Sequence, residues 1–289
     1  MEKVMTASVP AHLWKFLRPG MTGEIILVSS SGIYLRMEEQ ILLLCDQSWG
    51  ILPIGIGIEN FEQAVCLLRP RQGQQVTVSE NCLMFRSGNI HLVMHTLQPE
   101  TVHTCSVQPD RIRHGAEELA ELRKERGLSM LVLPLVLEHS AEETTKQNPY
   151  CVHGYFYLRK LMAALCCGDG SGIHSCVEKL LGLGMGLTPS GDDVLLGMLY
   201  VFRALPQKAP KGAQPFQESI GQLCDRCTNQ ISAAYLKAIL TGAPFERMDR
   251  VFRGLCAEEK LEIEKLTQIG SSSGTEMLLG MLIALQICK

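Results

Sequence analysis

The pattern of apolar and polar positions divides the chain into two parts. From Gly23 to His95, short β-rich runs are separated by Gly, Asn and Ser residues, a pattern typical of antiparallel hairpins. The pattern predicts strands at residues 24–28, 32–36, 41–45, 75–78, 82–85 and 90–94, with a short helix at 59–68. We therefore expect residues 1–108 to form a small antiparallel β domain, either a sandwich or a barrel.

Beyond about residue 109 the apolar residues recur at helical spacing. A charged helix is expected at residues 113–126, where Arg113 and Glu117 stand four apart. Further helices are expected at residues 155–167, 176–181, 193–204, 216–240, 247–255 and 275–287, and a Pro-rich exposed loop at 206–215. Residues 109–289 are thus predicted to be a mainly helical domain, which makes the fold class α+β.

Within the helical part, one loop and the helix that follows it occur twice. Residues 190–199 read SGDDVLLGML and residues 273–282 read SGTEMLLGML, so seven of the ten positions are identical at an offset of 83 residues. The fourth position is acidic in both copies, as Asp193 and Glu276. We interpret the pair as a duplicated element, related by a pseudo-two-fold axis.

Each copy begins with the features of a helix N-terminus. Ser190 and Ser273 are expected as N-caps, and acids in the first turn complement the helix dipole. Free N–H groups and hydroxyls at such an end form a site for anions. Gly197 and Gly280 lie on otherwise apolar helix faces, where glycine favours a close helix crossing. A parallel crossing at these glycines would bring both loops to one pocket.

The repeated loops supply the candidate site residues. We expect catalytic roles for Asp192, Asp193 and Glu276. Substrate binding is expected from the surrounding glycines and hydroxyls, which are Gly186, Thr188, Ser190, Gly191, Ser271, Ser272, Ser273 and Gly274. The three acids suit Mg²⁺, which binds a few carboxylates and keeps several waters, although no cofactor is required by the sequence.

Composition narrows the function classes. The 289 residues contain 46% apolar and 20% charged residues, which is typical of a globular protein. A net charge of -3 gives no basic patch for nucleic acid, and no apolar run is long enough to span a membrane. The first 20 residues lack a signal-peptide core, so a cytoplasmic location is expected, with the 12 cysteines kept as thiols.

Three segments together resemble the AllH-like family. Gly182 to Asp193 fits its GLGxGLTPSGDD loop, Thr228 to Ser232 fits a Thr-x-x-Ile/Leu-Ser segment, and Gly270 to Glu276 fits a Gly-His-Ser-Ser-Gly block with a following acid. Ser271 departs from this pattern, because the family has histidine there. An acid/base role at position 271 is therefore not carried over to this chain.

The resemblance implies a subunit of oxamate carbamoyltransferase, an enzyme of purine and allantoin catabolism that acts in a hetero-oligomer. It implies small anionic substrates, carbamoyl phosphate and oxamate, which suit two helix N-termini. Two alternatives stay open on the residues themselves. One is a non-catalytic anion-binding or assembly protein, and the other is a Mg²⁺-dependent hydrolase of a small phosphorylated or acylated metabolite.

Overall fold

The computed structural model describes most of the chain and divides it into two compact units. One unit comprises Met1–Glu100 with Ala243–Arg247, and the other comprises Thr101–Gly242 with Met248–Lys289. The described residues are 5–29, 32–95, 107–122, 127–145, 148–256 and 260–288. The boundary expected between residues 108 and 109 stays a prediction.

In the described part of the first unit, eight strands form a closed barrel. The strands are β1 (Met5–Pro10), β2 (Thr22–Ser29), β3 (Gly32–Met37), β4 (Gln40–Asp46), β5 (Gly55–Ile58), β6 (Gln75–Ser79), β7 (Cys82–Phe85) and β8 (Gly88–His95). Their order around the barrel is β1-β5-β4-β3-β2-β6-β7-β8. Alternate residues such as Val76 and Val78 are buried in the core, as the period of two in a strand requires.

The expectation of an antiparallel β domain is wrong. The barrel is mixed, because β1 pairs with β8 and β4 pairs with β5 in parallel. Both parallel pairs involve β1 or β5, which the hairpin pattern does not predict. In β5, Gly55 and Gly57 alternate with isoleucines, and glycine is depleted in strands. These two strands close the barrel and so remove the open sheet edges.

Two short helices accompany the barrel, α1 (Ala11–Trp14) and α2 (Phe61–Leu68). The helix expected at residues 59–68 is confirmed as α2, whose Phe61, Ala64 and Leu68 are buried against the barrel core. A 3₁₀ turn, Gln47–Trp49, follows β4. The carboxylate of Glu246 accepts a 2.9 Å hydrogen bond from the backbone N–H of Ile51, which joins residues 243–247 to this unit.

The remaining helices build the second unit, apart from the first two residues of α11, which belong to the barrel unit. They are α3 (Pro109–Leu122), α4 (Val132–Leu135), α5 (Ala141–Thr145), α6 (Pro149–Cys167), α7 (Gly170–Leu180), α8 (Ser190–Ala204), α9 (Ala213–Cys227), α10 (Gln230–Leu240), α11 (Glu246–Cys256), α12 (Ile263–Thr267) and α13 (Ser273–Ile287), with a 3₁₀ turn at Ser129–Leu131. The helix expected at residues 113–126 starts earlier, and its last four residues lie outside the described ones.

The long helix expected at residues 216–240 is two helices. The break falls at Thr228 and Asn229, where the Asn229 side chain accepts hydrogen bonds from the backbone N–H groups of Ile231 and Ser232. An asparagine in this position caps the helix that follows it. Asn229 therefore starts α10, and the break frees the Thr228 hydroxyl for a contact described below.

The two copies of the repeat cross at their glycines, as predicted. A β-carbon on Gly197 would lie 2.1 Å from the carbonyl oxygen of Met277, and one on Gly280 would lie 2.0 Å from that of Val194. Val194 and Met277 are themselves equivalent in the repeat, so the two contacts are reciprocal. This reciprocity is the signature of a pseudo-two-fold axis between α8 and α13.

Two other expectations bear on the environment of the protein. Among the helices of the described residues, none combines the length and apolar character that crossing a membrane requires. Cys256 is disulfide-bonded, so the expectation that every cysteine is a thiol is wrong at that position.

Substituting Ala at Gly197 should destabilise the protein, because its methyl group has no room beside the Met277 carbonyl. We expect the free energy of unfolding to fall by about 1–3 kcal/mol or more. Gly221→Ala is the matched control, since the nearest atom to a new methyl group would be a Leu240 side-chain carbon at 3.7 Å. That change in the middle of α9 should stabilise by about 0.5–1 kcal/mol. Urea denaturation of both variants checks the pair, and equal effects would contradict the close crossing.

Candidate functional site

The loops that precede α8 and α13 meet at one end of the helix pair. The hydroxyl oxygens of Thr188 and Ser273 lie 2.8 Å apart and share a hydrogen bond. The Ser190 hydroxyl also hydrogen-bonds the carboxylate of Glu276. Contacts deeper along α8 reach residues further along α13, so the two helices run in the same direction from the loops. The predicted geometry, with Ser190 and Ser273 on one side, is confirmed.

Neither serine acts as the predicted N-cap. Helix α8 begins at Ser190 itself, after Pro189, and α13 begins at Ser273, after Ser272. No side-chain cap hydrogen bond forms at either start. The two hydroxyls instead form hydrogen bonds with the other copy of the repeat and its loop. Ser190 hydrogen-bonds Glu276, and Ser273 hydrogen-bonds Asp193 and Thr188. The hydroxyls therefore belong to the junction of the loops.

Asp193 lies at the floor of this junction and is only 1% exposed. The hydroxyls of Thr188 and Ser273 both hydrogen-bond its carboxyl group. Burial raises the pKa of Asp193 well above its ordinary value, and the nearby charge of Glu276 raises it further. The second carboxyl oxygen, Oδ2, is buried and has no hydrogen-bond partner among the described residues.

Thr188, Ser273 and Asp193 form a closed ring of three hydrogen bonds. Each hydroxyl supplies one proton, so two hydroxyls can fill only two of the three contacts. The ring is complete when the Asp193 carboxyl carries the third proton on the oxygen that faces the hydroxyls. This count agrees with the raised pKa of Asp193 and leaves Oδ2 as an unprotonated acceptor.

Glu276 faces Asp193 from the other copy of the repeat and is also 1% exposed. Its Oε1 accepts a 2.9 Å hydrogen bond from the backbone N–H of Leu128, and its Oε2 accepts one of 3.3 Å from the Ser272 hydroxyl. Burial raises the pKa of Glu276 to about 7, although the hydrogen bonds from Ser190, Leu128 and Ser272 oppose this. Together Asp193 and Glu276 form a buried acid pair.

The segment at Gly127 and Leu128 completes the site and was not predicted from the sequence. A β-carbon on Gly127 would lie 1.9 Å from Glu276 Oε1, so only glycine fits there. The Gly127 carbonyl accepts a 2.9 Å hydrogen bond from the side-chain amide of Asn148 and one of 3.2 Å from the Cys151 thiol. Asn148 followed by Pro149 signals a helix start, but nothing in the sequence links that start to Glu276.

Asp192 belongs to a different cluster from its neighbour. Its Oδ1 accepts a 2.7 Å hydrogen bond from the backbone N–H of Gly182. Its Oδ2 accepts hydrogen bonds from the hydroxyls of Thr228 and Ser232, the latter at 2.6 Å. All of its partners lie on the protein itself, which fits a role in holding the loop to α10 and not one in binding a ligand.

Six first-turn amides, those of residues 191–193 in α8 and 274–276 in α13, already have partners within the chain. In α8, Gly191 N–H donates to Leu183, and the N–H groups of Asp192 and Asp193 donate to Pro189. In α13, Gly274 N–H donates to Ile269, and those of Thr275 and Glu276 donate to Ser272. These amides are therefore not available to an anion, and the side-chain hydroxyls are the groups that face the junction.

The remaining predicted binding residues form a gradient of exposure. Gly186 and Ser271 are exposed, Thr188, Ser272 and Ser273 are half-buried, and Ser190, Gly191 and Gly274 are buried. A β-carbon on Gly191 or Gly274 would lie within 2.0 Å of a backbone carbonyl, so both glycines serve close packing. The junction thus has exposed loops at its mouth, hydroxyls below them, and the acid pair at its floor.

The three acids proposed for Mg²⁺ do not converge. Asp193 and Glu276 face one another, whereas Asp192 faces Gly182, Thr228 and Ser232. Within the ranges that the structure describes, no group of three or more His, Cys, Asp or Glu side chains is placed to hold a metal ion. The acid pair offers two carboxyl groups at most.

Comparison with known proteins supports one of the sequence expectations. Residues 180–285 match the model of a family described as oxamate carbamoyltransferase subunit AllH. The predicted resemblance to an AllH-like family is confirmed over these residues, which include the whole of both loops. The family's name is that of a subunit of a carbamoyltransferase. No solved structure matches the chain.

The two neighbouring aspartates should respond differently to an isosteric change. Asp192→Asn removes an acceptor from the cluster at Gly182, Thr228 and Ser232, and we expect a loss of about 1–3 kcal/mol in the free energy of unfolding. Asp193→Asn should change that free energy by less than about 1 kcal/mol at pH 7, because its Oδ2 has no partner to lose. Urea denaturation at pH 7 measures both. A larger loss in Asp193→Asn than in Asp192→Asn would reverse the assignment.

Glu276 should make stability fall as the pH rises. Its folded pKa of about 7 lies above the value of about 4.3 for an unfolded glutamate, so the folded state binds the proton more tightly. The resulting stabilisation is complete below about pH 4 and is lost as the pH rises through about 7. Glu276→Gln should flatten this part of the profile. Melting temperatures measured from pH 4 to 8 test it, and parallel profiles for variant and wild type would contradict it.

Proposed function

We propose that the chain is a subunit of a carbamoyltransferase of the oxamate and carbamoyl phosphate type, and that the joined loops bind its small anionic substrates. The observation that carries the proposal is the convergence of both copies of the repeat on one buried acid pair. Both loops lie in the segment that matches the family of an oxamate carbamoyltransferase subunit. The proposal places the chain in purine and allantoin catabolism, together with other subunits.

The acid pair suits the proton transfer that this reaction needs. In carbamoyl transfer to oxamate, the amide nitrogen forms a bond to the carbamoyl carbon, and the bond from that carbon to the phosphate oxygen breaks. Phosphate leaves with its electron pair, and the nitrogen loses one proton. A carboxylate whose pKa is raised toward neutrality accepts a proton efficiently at cellular pH, and Glu276 has this property.

The mouth of the junction suits the anionic ends of the substrates. Ser271 is exposed there, and its hydroxyl can donate a hydrogen bond to a carboxylate or phosphate oxygen. The dipoles of α8 and α13 both direct their positive ends toward the junction, which stabilises negative charge there. We assign Asp193 and Glu276 to the chemistry, and Asp192 to positioning the first loop on α10.

The proposal leaves part of the site to the partner subunits. Neither loop contains arginine or lysine, although phosphate groups usually pair with such side chains. The family name describes a subunit, and a second subunit placed over the exposed Gly186 and Ser271 would supply the missing cation. The active enzyme is then the assembly.

Activity assays on the assembly test the proposed function. The chain is purified with its co-purifying partners, and phosphate release from carbamoyl phosphate is measured with and without oxamate. We expect release to depend on oxamate, and Asp193→Asn and Glu276→Gln each to lower kcat by about 100- to 10,000-fold. Glu218→Gln, an exposed change on α9, is the control and should keep full activity. Oxamate-independent release, or full activity in both acid variants, would refute the proposal.

A further inference from the structure

We propose that Asp193 Oδ2 receives an N–H of the substrate's carboxamide group, so that the floor of the site selects amides over carboxylates. The inference rests on the proposed function in that oxamate, which has one carboxamide and one carboxylate, is the substrate and probe. It adds an orientation and a basis for specificity. The amide lies on the acid pair, and the carboxylate lies toward the exposed mouth of the junction.

The first step is that a buried acceptor lacks a partner. Asp193 is 1% exposed, and its Oδ2 has no hydrogen-bond partner within the described residues. A buried polar atom without a partner destabilises the folded state, because its lost hydration is not replaced. Such an atom is rare in folded proteins, and a ligand group that it receives on binding is one explanation of it. The unpartnered oxygen is in the junction, beside the Thr188 and Ser273 hydroxyls.

The second step is that this oxygen accepts and does not donate. The ring of Thr188, Ser273 and Asp193 is complete only with a proton on the carboxyl oxygen that faces the hydroxyls. Oδ2 then has the character of a carbonyl oxygen, and its ligand must bring the hydrogen. The charges of Glu276, which faces Asp193, and of the neighbouring Asp192, which faces α10, both disfavour a negative charge on Asp193.

The third step is that an amide group fits Oδ2 better than a metal cation does. Mg²⁺ takes about six oxygen ligands, and because no three acidic, His or Cys side chains of the described residues are placed to hold a metal ion, an ion at the acid pair would take most of its ligands from water. The hydroxyls of Thr188, Ser190, Ser272 and Ser273 are already committed to the two acids or to each other. A neutral, planar –NH₂ group needs only acceptors in its plane, which Oδ2 supplies.

Oxamate and oxalate provide the probes, because replacing –NH₂ by a carboxylate oxygen removes both N–H donors and adds one negative charge, and the dimethyl compound below separates the two effects. Binding of each to the chain together with its co-purifying partners is measured by isothermal titration calorimetry at pH 7. We expect oxamate to bind roughly 10- to 100-fold more tightly than oxalate. The reason is that oxalate would place a carboxylate oxygen, which is a hydrogen-bond acceptor, against Oδ2, which is also an acceptor. N,N-dimethyl oxamate, which has no N–H, should lose a similar factor.

Asp193→Asn should keep this preference, because by the same proton count the –NH₂ group of the new side chain takes the ring position that needs a donor, and its carbonyl takes the place of Oδ2 as an acceptor. Asp193→Leu, which has no acceptor, should lose the preference. Glu218→Gln, which is exposed and remote in sequence from both loops, is the control and should keep the wild-type preference. The wild-type comparison stands by itself if the variant does not fold.

Several outcomes overturn the inference. These are equal affinities of the wild type for oxamate and oxalate, no binding of oxamate, a wild-type preference that persists in Asp193→Leu, or a Mg²⁺-dependent stabilisation that this variant abolishes. The assay of carbamoyl transfer separates this inference from the proposed function. If oxamate is preferred but no carbamoyl transfer occurs, the proposed transferase function is refuted and the amide subsite stands. If transfer occurs without a preference for oxamate, the amide subsite is refuted and the proposed function stands.

Discussion

The backbone contact between α8 and α13 fixes the geometry of everything above it. At Gly197 and Gly280 the two helices approach so closely that neither position has room for a β-carbon. The loops end, and the two helices begin, seven residues before these glycines, about 10 Å along each helix axis. Close-packed protein interiors have low compressibility, so the distance between the two helices at this contact is fixed. Because α8 and α13 cross closely at these glycines and run in the same direction, Thr188 comes within hydrogen-bond reach of Ser273.

The same two-fold relation forces two acids together away from water. Asp193 and Glu276 occupy equivalent places in the repeat, so each lies across the axis from the other. Two ionised carboxylates in such a place would be costly, and proton sharing with the surrounding hydroxyls offsets that cost. Helices as apolar as these would pack without either acid. The acids break the local pattern of the sequence, and such departures concentrate at functional sites.

The sequence predicted the parts of the site that lie in contiguous patterns. The repeat, the crossing glycines and the meeting of both loops followed from ten aligned positions. The parallel pairings of the barrel did not, because strand pairing across long separations has no local signature, and glycines weaken the strand pattern of β5. Gly127 and Leu128 were missed for the same reason, since they reach Glu276 across 148 positions of the chain.

Asp192 and Asp193 are adjacent in α8 but have different roles, because their side chains point in different directions. Successive residues in a helix point about 100° apart, so the two carboxylates cannot face one target. Asp193 faces the partner helix, and Asp192 faces α10, where Thr228 and Ser232 meet it. In the second copy the equivalent of Asp192 is Thr275, whose hydroxyl bonds the Ser272 carbonyl of its own loop. The two-fold symmetry is thus broken outside the acid pair. At this position the first loop is tied to a neighbouring helix, whereas the second is tied to a carbonyl of its own loop.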